Sequence, residues 1–241
     1  MARYKEKLER LSYECELEYR GIHAMDAAQI VAEAVDGHVE EIHDRKHQEM
    51  IKHWVVVEAD ENVWLVRMKS TPYSVTAMIT TPCLKVARTP ILQTIIRALD
   101  ERGEQIAFRP RVNSLILSMP DIQNVVRLWY KKEEEHLKAL GVSPHKIEYF
   151  IHMSDHSPVK EICKMKTPTS FGLFKAWFGP YYTCPKCYDE YNRRSLNLAP
   201  IWMETLFNQG IEFRCFESPV QADEIPSRLS YLLTFVAKAA R

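Results

Sequence analysis

Only seven glycines punctuate the 241-residue chain, at positions 21, 37, 103, 141, 172, 179 and 210, and no two stand closer than seven residues. Loops that cradle phosphate by close backbone approach need clustered glycines, so neither G-x-G-x-x-G nor G-x-x-x-x-G-K-[ST] is present. A G-x-S-x-G nucleophile elbow is missing too. The isolated glycines serve as punctuation: Gly103, Gly141 and Gly210 each follow an apolar, helix-periodic stretch, and Gly21 and Gly37 sit at breaks. Gly172 and Gly179 alone lack that role, and they bracket an aromatic run just ahead of a C-x-x-C.

Residues 3–20 are charge-rich, and Tyr4, Leu8, Leu11, Cys15 and Tyr19 recur about every four residues, which predicts a helix closed by Gly21. Residues 25–53 read as helix with a break at Asp36-Gly37 and a stripe of Val31, Val35, Val39 and Ile42. Trp54–Ala59 and Val63–Met68 flank Asp60-Glu61-Asn62 as a hairpin, and Val75–Thr80 reads as a further strand. Thr89-Pro90 opens a helix with Leu92, Ile95, Ile96 and Leu99 on one face. Residues 105–109 and 112–118 read as two short strands around Pro110-Arg111, Asp121 caps another helix, and residues 146–153 alternate as a strand.

From 75 to 153 the predicted order is therefore β-α-β-β-α-β, the ferredoxin-like order. The predicted class is α+β, with a helical N-terminal arm (1–53), a ferredoxin-like core (54–153), a Lys- and aromatic-rich insertion (154–198) and a C-terminal α-β-α part (199–241) that completes the core.

Cys184-Pro-Lys-Cys187 is the sharpest local motif, two thiols that a tight knuckle can turn onto one zinc ion. His152 and His156, an H-x3-H pair, are the predicted remaining ligands, with Cys163 the next candidate. Cys215 is in phase with Ile211 and Phe213 and reads as a small buried residue. The competing reading of the C-x-x-C is two free thiols in a loop. His43 and His47 are one helical turn apart, but Asp44-Arg45-Lys46 between them lacks the glutamate of H-E-x-x-H.

Residues 160–194 interleave cations with rings. Lys175, Trp177, Tyr181, Lys186, Arg193 and Arg194 are the candidate contacts to single-stranded nucleic acid, where cations neutralise the backbone and rings stack on bases. Lys+Arg and Asp+Glu number 32 each, so such binding rests on this local patch and not on bulk charge. The alternative is that the rings pack over the core or against a protein partner.

A catalytic reading rests on Glu58-Ala-Asp60 after one apolar strand and Ser154-Asp-His156 after another. The acidic-x-acidic and small-x-His pairing resembles the primase-polymerase superfamily, and the resemblance implies metal-dependent nucleotidyl transfer through Glu58, Asp60 and His156. The competing reading is a polar hairpin turn over 58–62.

The expected function is thus a non-enzymatic binding protein for single-stranded RNA or DNA, stapled by zinc. Two alternatives stand beside it: an interaction or assembly protein, with the N-terminal helices docking a partner or a second copy, and the nucleotidyl-transfer enzyme. No apolar run approaches membrane-spanning length and no signal-peptide core follows Met1, so an intracellular setting with reduced cysteines is expected.

Overall fold

The structure, a computed structural model, describes residues 2–46, 49–71, 74–153, 157–178, 194–202, 210–216 and 219–240. Its class is α+β. The strands β1 (Tyr13–Arg20), β2 (His38–Lys46), β3 (Glu49–Val57), β4 (Val63–Thr71), β5 (Ser74–Thr80), β6 (Glu104–Asn113), β7 (Leu196–Asn197) and β8 (Gly210–Phe213) form one sheet in the order β2-β3-β4-β5-β1-β6-β8-β7. The chain divides into two compact units, and β6 crosses from one to the other at Arg109-Pro110.

The unit of residues 13–109 and 217–227 is ruled by sheet register. Trp54 lies opposite Val66, Val66 opposite Ile79, and Ile79 opposite Leu17, so these four share one face across β3-β4-β5-β1. All four are buried. Helix α2 (Ala24–Val35) packs here through Ala24, Ala27, Ala28, Val31 and Ala32, small residues that let it come close to the strands. Its capping residue His23 meets Trp54 edge-on at 5.7 Å, which marks the helix-covered side. Burying each Trp, Val, Ile or Leu side chain contributes roughly 1.5–3 kcal/mol. Helix α3 (Thr89–Asp100) adds Leu92, Ile95, Ile96 and Leu99. One residue out of phase, His53, Arg67, Met78 and Glu18 form the corresponding row on the opposite face.

The unit of residues 1–12, 110–216 and 228–241 is mostly helical. Helix α1 (Ala2–Arg10) is tied to it by Lys7, whose Nζ lies 3.3 Å from Asp121. Ser118 and Asp121 form a reciprocal capping box at the start of α4 (Met119–Lys131). Helices α5 (Glu133–Ala139), α6 (Pro144–Met153), α7 (Ser157–Lys164), α8 (Ser170–Phe178) and α9 (Ile225–Ala239) follow. Fully buried Trp129 is the hub: Phe213 and Phe235 meet it edge-on at 5.0 and 5.4 Å, and His136 stacks on it at 4.9 Å.

Several expected elements change identity. Residues 13–20 are strand, so helix holds only over Ala2–Arg10, and the residues beyond Gly37 are the β2-β3 hairpin and not helix. Residues 104–113 are one strand where two were expected; Pro110 falls one residue before pairing with β8 begins, where its missing N–H costs no bond of that ladder. Residues 146–153 are helical, because Ile147 and Phe150 bury at helical spacing behind Pro144. The chain from 75 to 153 therefore runs β5-α3-β6-α4-α5-α6 and departs from the ferredoxin-like order. The 54–68 hairpin, the strand at 75–80 and the helices at 89–100 and 119–131 stand where the sequence places them, and a helix at 225–239 ends the C-terminal part. Among the described residues no helix is long and apolar enough to cross a membrane.

Candidate active site

Strand β1 alternates without exception between Tyr13 and Tyr19. Tyr13, Cys15, Leu17 and Tyr19 are fully buried on the helix-covered face, and burial pushes both tyrosine hydroxyls well above their ordinary range. Glu14, Glu16 and Glu18 occupy the other face and are themselves only 1%, 8% and 5% exposed. Three successive outward carboxylates span roughly 13 Å of strand. Such a row is costly unless each charge is compensated.

Neighbouring strands supply the compensation. Glu18 accepts from Lys69 Nζ at 3.1 and 3.2 Å, from Thr76 Oγ1 at 3.0 Å, and from the two Arg109 Nη atoms at 3.4 Å. Glu16 accepts from Arg109 Nη1 at 2.5 Å, with Arg67 Nη2 at 4.0 Å. Glu14 accepts from the thiol of Cys83 at 3.0 Å. Arg67 and Lys69 come from β4, Thr76 from β5, and Arg109 from β6, so the arrangement exists only once the sheet is paired. The carboxylates form an acidic floor, whereas Arg67 and Lys69 are 39% and 43% exposed and form a cationic lip. A surface of this kind can hold an ammonium group against the floor and an anion against the lip in one place.

The other polar clusters are occupied with holding structure. Glu58 accepts from Trp64 Nε1 at 2.5 Å and Arg88 Nη2 at 2.6 Å, and Asp60 lies 3.4 Å from Arg88 Nη1. These bonds lock the β3-β4 turn; His156, the other half of the primase-polymerase pairing, lies outside the described residues. In the helical unit Glu212 accepts from Nε of both Arg111 and Arg214. There, too, Ser195 accepts from Trp129 Nε1 at 2.9 Å and donates to Glu133.

A family described as "putative amidoligase enzyme" matches residues 9–236. The chain belongs to it. No curated protein matches the chain. Membership in an enzyme family overturns the expectation of a non-enzymatic nucleic-acid-binding protein, and the enzyme alternative fits better. Trp177 is fully buried beneath Arg194, whose guanidinium stands 4.7 Å over the ring and is itself buried, so neither faces solvent. Phe174, Phe178 and Trp202 cluster with ring centroids 4.8–6.0 Å apart. Lys175 is exposed; Tyr181, Lys186 and Arg193 lie outside the described residues.

The zinc expectation falls mostly outside the described residues; among those described, no three His, Cys, Asp or Glu side chains gather to hold a metal. His152 lies in the last turn of α6 and not at a strand end, while His156, Cys184 and Cys187 lie outside the described residues. Cys15, Cys83, Cys163 and Cys215 form no disulfide among the described residues, and burial pushes Cys215 up to about 12.

None of Glu14, Glu16, Glu18, Arg67, Lys69 and Arg109 was a candidate from sequence. The strict apolar-acidic alternation of Tyr13–Tyr19 is the signal that identifies the row.

Proposed function

We propose that the chain joins a carboxylic acid to an amine as an amide, with Glu14, Glu16 and Glu18 facing Arg67, Lys69 and Arg109 as its chemical centre. The row of three buried carboxylates under a cationic lip carries this reading, and family membership supports it.

The chemistry asks for both charges. In water an acid is a carboxylate and an amine an ammonium ion, and neither reacts. A nucleoside triphosphate activates the acid: its carboxylate oxygen attacks the terminal phosphorus, giving an acyl phosphate and the diphosphate. The amine nitrogen then attacks the acyl carbon, inorganic phosphate leaves with the bonding pair, and one proton is released. Arg67, Lys69 and Arg109 stabilise the negative charge on the transferring phosphoryl group and acyl oxygen. They do by side chain what a glycine-rich loop does by backbone, in a chain with no such loop. Glu14 and Glu16 hold the ammonium and receive its proton. A triphosphate substrate fits an intracellular setting.

The test incubates the purified chain with magnesium ATP and a panel of amino acids, dicarboxylates and diamines. Amide product and phosphate are read together by mass spectrometry and phosphate assay. Product in equal amount to phosphate, lost in Glu16→Gln, supports the reading. No product from any pair in the panel contradicts it.

A further inference from the structure

Strand β2 ends the sheet, and it is nine residues long where β7 at the other end has two. His38, Glu40, Glu41 and Ile42 are exposed. A long open edge presents a row of backbone donors and acceptors that a further strand can meet. The charges along this edge decide which strand fits. They read Glu40, Glu41, then Asp44, Arg45, Lys46: negative in the middle of the strand, positive at its end.

An antiparallel pair places residues directly opposite only if both turn their backbone groups toward the partner or both turn them away. A strand pairing with its own copy about a two-fold axis can therefore centre only on a residue, never between two. Centring on Glu40, Glu41 or Asp44 sets that acid against itself. Centring on Ile42 sets Glu40 opposite Asp44 twice. Centring on His43 sets Glu40 opposite Lys46 and Glu41 opposite Arg45, each twice by symmetry, with no like-charged pair among the seven positions from 40 to 46.

We propose that β2 pairs antiparallel with β2 of a second copy in the register centred on His43, joining two sheets edge to edge. Centring on Arg45 or Lys46 sets that cation against itself, and centring on His38 or Val39 pairs three residues of the strand or fewer, so among registers with a longer overlap charge repulsion leaves this one. In the single chain Glu40 accepts from His38 at 2.9 Å, an exposed contact that the cross-copy pairing replaces. The pairing is independent of the amide chemistry.

Sedimentation of the full chain at micromolar concentration tests it, with two charge-reversed variants. Glu40→Lys with Glu41→Lys makes the edge wholly positive at these four positions, and Arg45→Glu with Lys46→Glu makes it wholly negative. The expected result is a wild-type dimer that weakens in high salt, and either variant alone weakened about tenfold or more. Mixed in equal amounts, the two variants form a heterodimer at least as tight as wild type. Circular dichroism confirms that each variant is folded. A monomeric wild type at a hundredfold higher concentration, variants that dimerise as wild type does, or a mixture that stays monomeric overturns the proposal.

Discussion

Arg109 on β6 places Nη1 2.5 Å from Glu16 Oε1 and 3.4 Å from Glu18 Oε2, so one guanidinium bridges two successive carboxylates of the neighbouring strand β1. The planar guanidinium holds its donors in one fixed geometry across both carboxylates, which a flexible ammonium does not reproduce. Arg109→Lys therefore keeps the net charge and loses the bridge. The expected outcome is a fold retained by circular dichroism and ligation slowed by about tenfold to a hundredfold; Arg109→Ala loses more. Equal rates for wild type and the lysine variant count against the bridge.

Glu16→Gln removes the charge between Arg109 and Arg67 while keeping the shape. Ligation is expected to drop by about a hundredfold or more, with a stability loss of roughly 1–3 kcal/mol from cations left without their partner. Steady-state assay and urea titration separate the two effects.

Glu58→Gln with Asp60→Asn tests the opposite assignment. These acids hold the β3-β4 turn through Trp64 and Arg88. The double variant is expected to unfold at lower temperature and to ligate at the wild-type rate when assayed well below that temperature. A loss of ligation comparable to that of Glu16→Gln would return Glu58 to the catalytic account.

His136 makes stability depend on pH. Burial holds its imidazole below the ordinary 6.5, although its Nδ1 lies 2.7 Å from Tyr231 Oη. Above 6.5 the ring is neutral in both folded and unfolded chains and contributes no pH dependence. As pH falls below that value the unfolded chain takes up the proton first, so stability declines until the folded-state value is passed. The urea midpoint is expected to be lower at about pH 5.5 than at about pH 7.5, and His136→Phe is expected to shrink that difference.

Trp177→Ala addresses the former nucleic-acid face. The ring is fully buried and covered by Arg194, so truncation leaves a cavity beneath a buried cation. A loss of about 3–5 kcal/mol in unfolding free energy is expected. A loss under about 1 kcal/mol places the ring at the surface.

Much of the fold is legible in local pattern. Helices at 89–100 and 119–131 announce themselves by their opening residues and apolar stripes, and the 54–68 hairpin by its alternation and turn. The active-site strand is not, for a specific reason. Cys15 and Tyr19 are four apart, which fits a helical stripe from Tyr4 and equally fits a period of two. Only Tyr13, Leu17 and the three glutamates between decide for strand, and they also reveal the row. The cationic half is not local at all: Arg67, Lys69 and Arg109 stand 51 or more positions along the chain from their carboxylate partners, and register alone brings them together. The eye is drawn instead to Cys184 and Cys187, a motif of sharper spacing.

Heavy-oxygen transfer tests the central claim most directly. Amino acids labelled with heavy oxygen in the carboxyl group are supplied with magnesium ATP and an amine to the purified chain. Activation by phosphoryl transfer moves one labelled oxygen from the acid to inorganic phosphate for every amide formed. The account predicts labelled phosphate in step with amide from the wild type, and neither from Glu16→Gln. Unlabelled phosphate, or phosphate released with no amide, contradicts it.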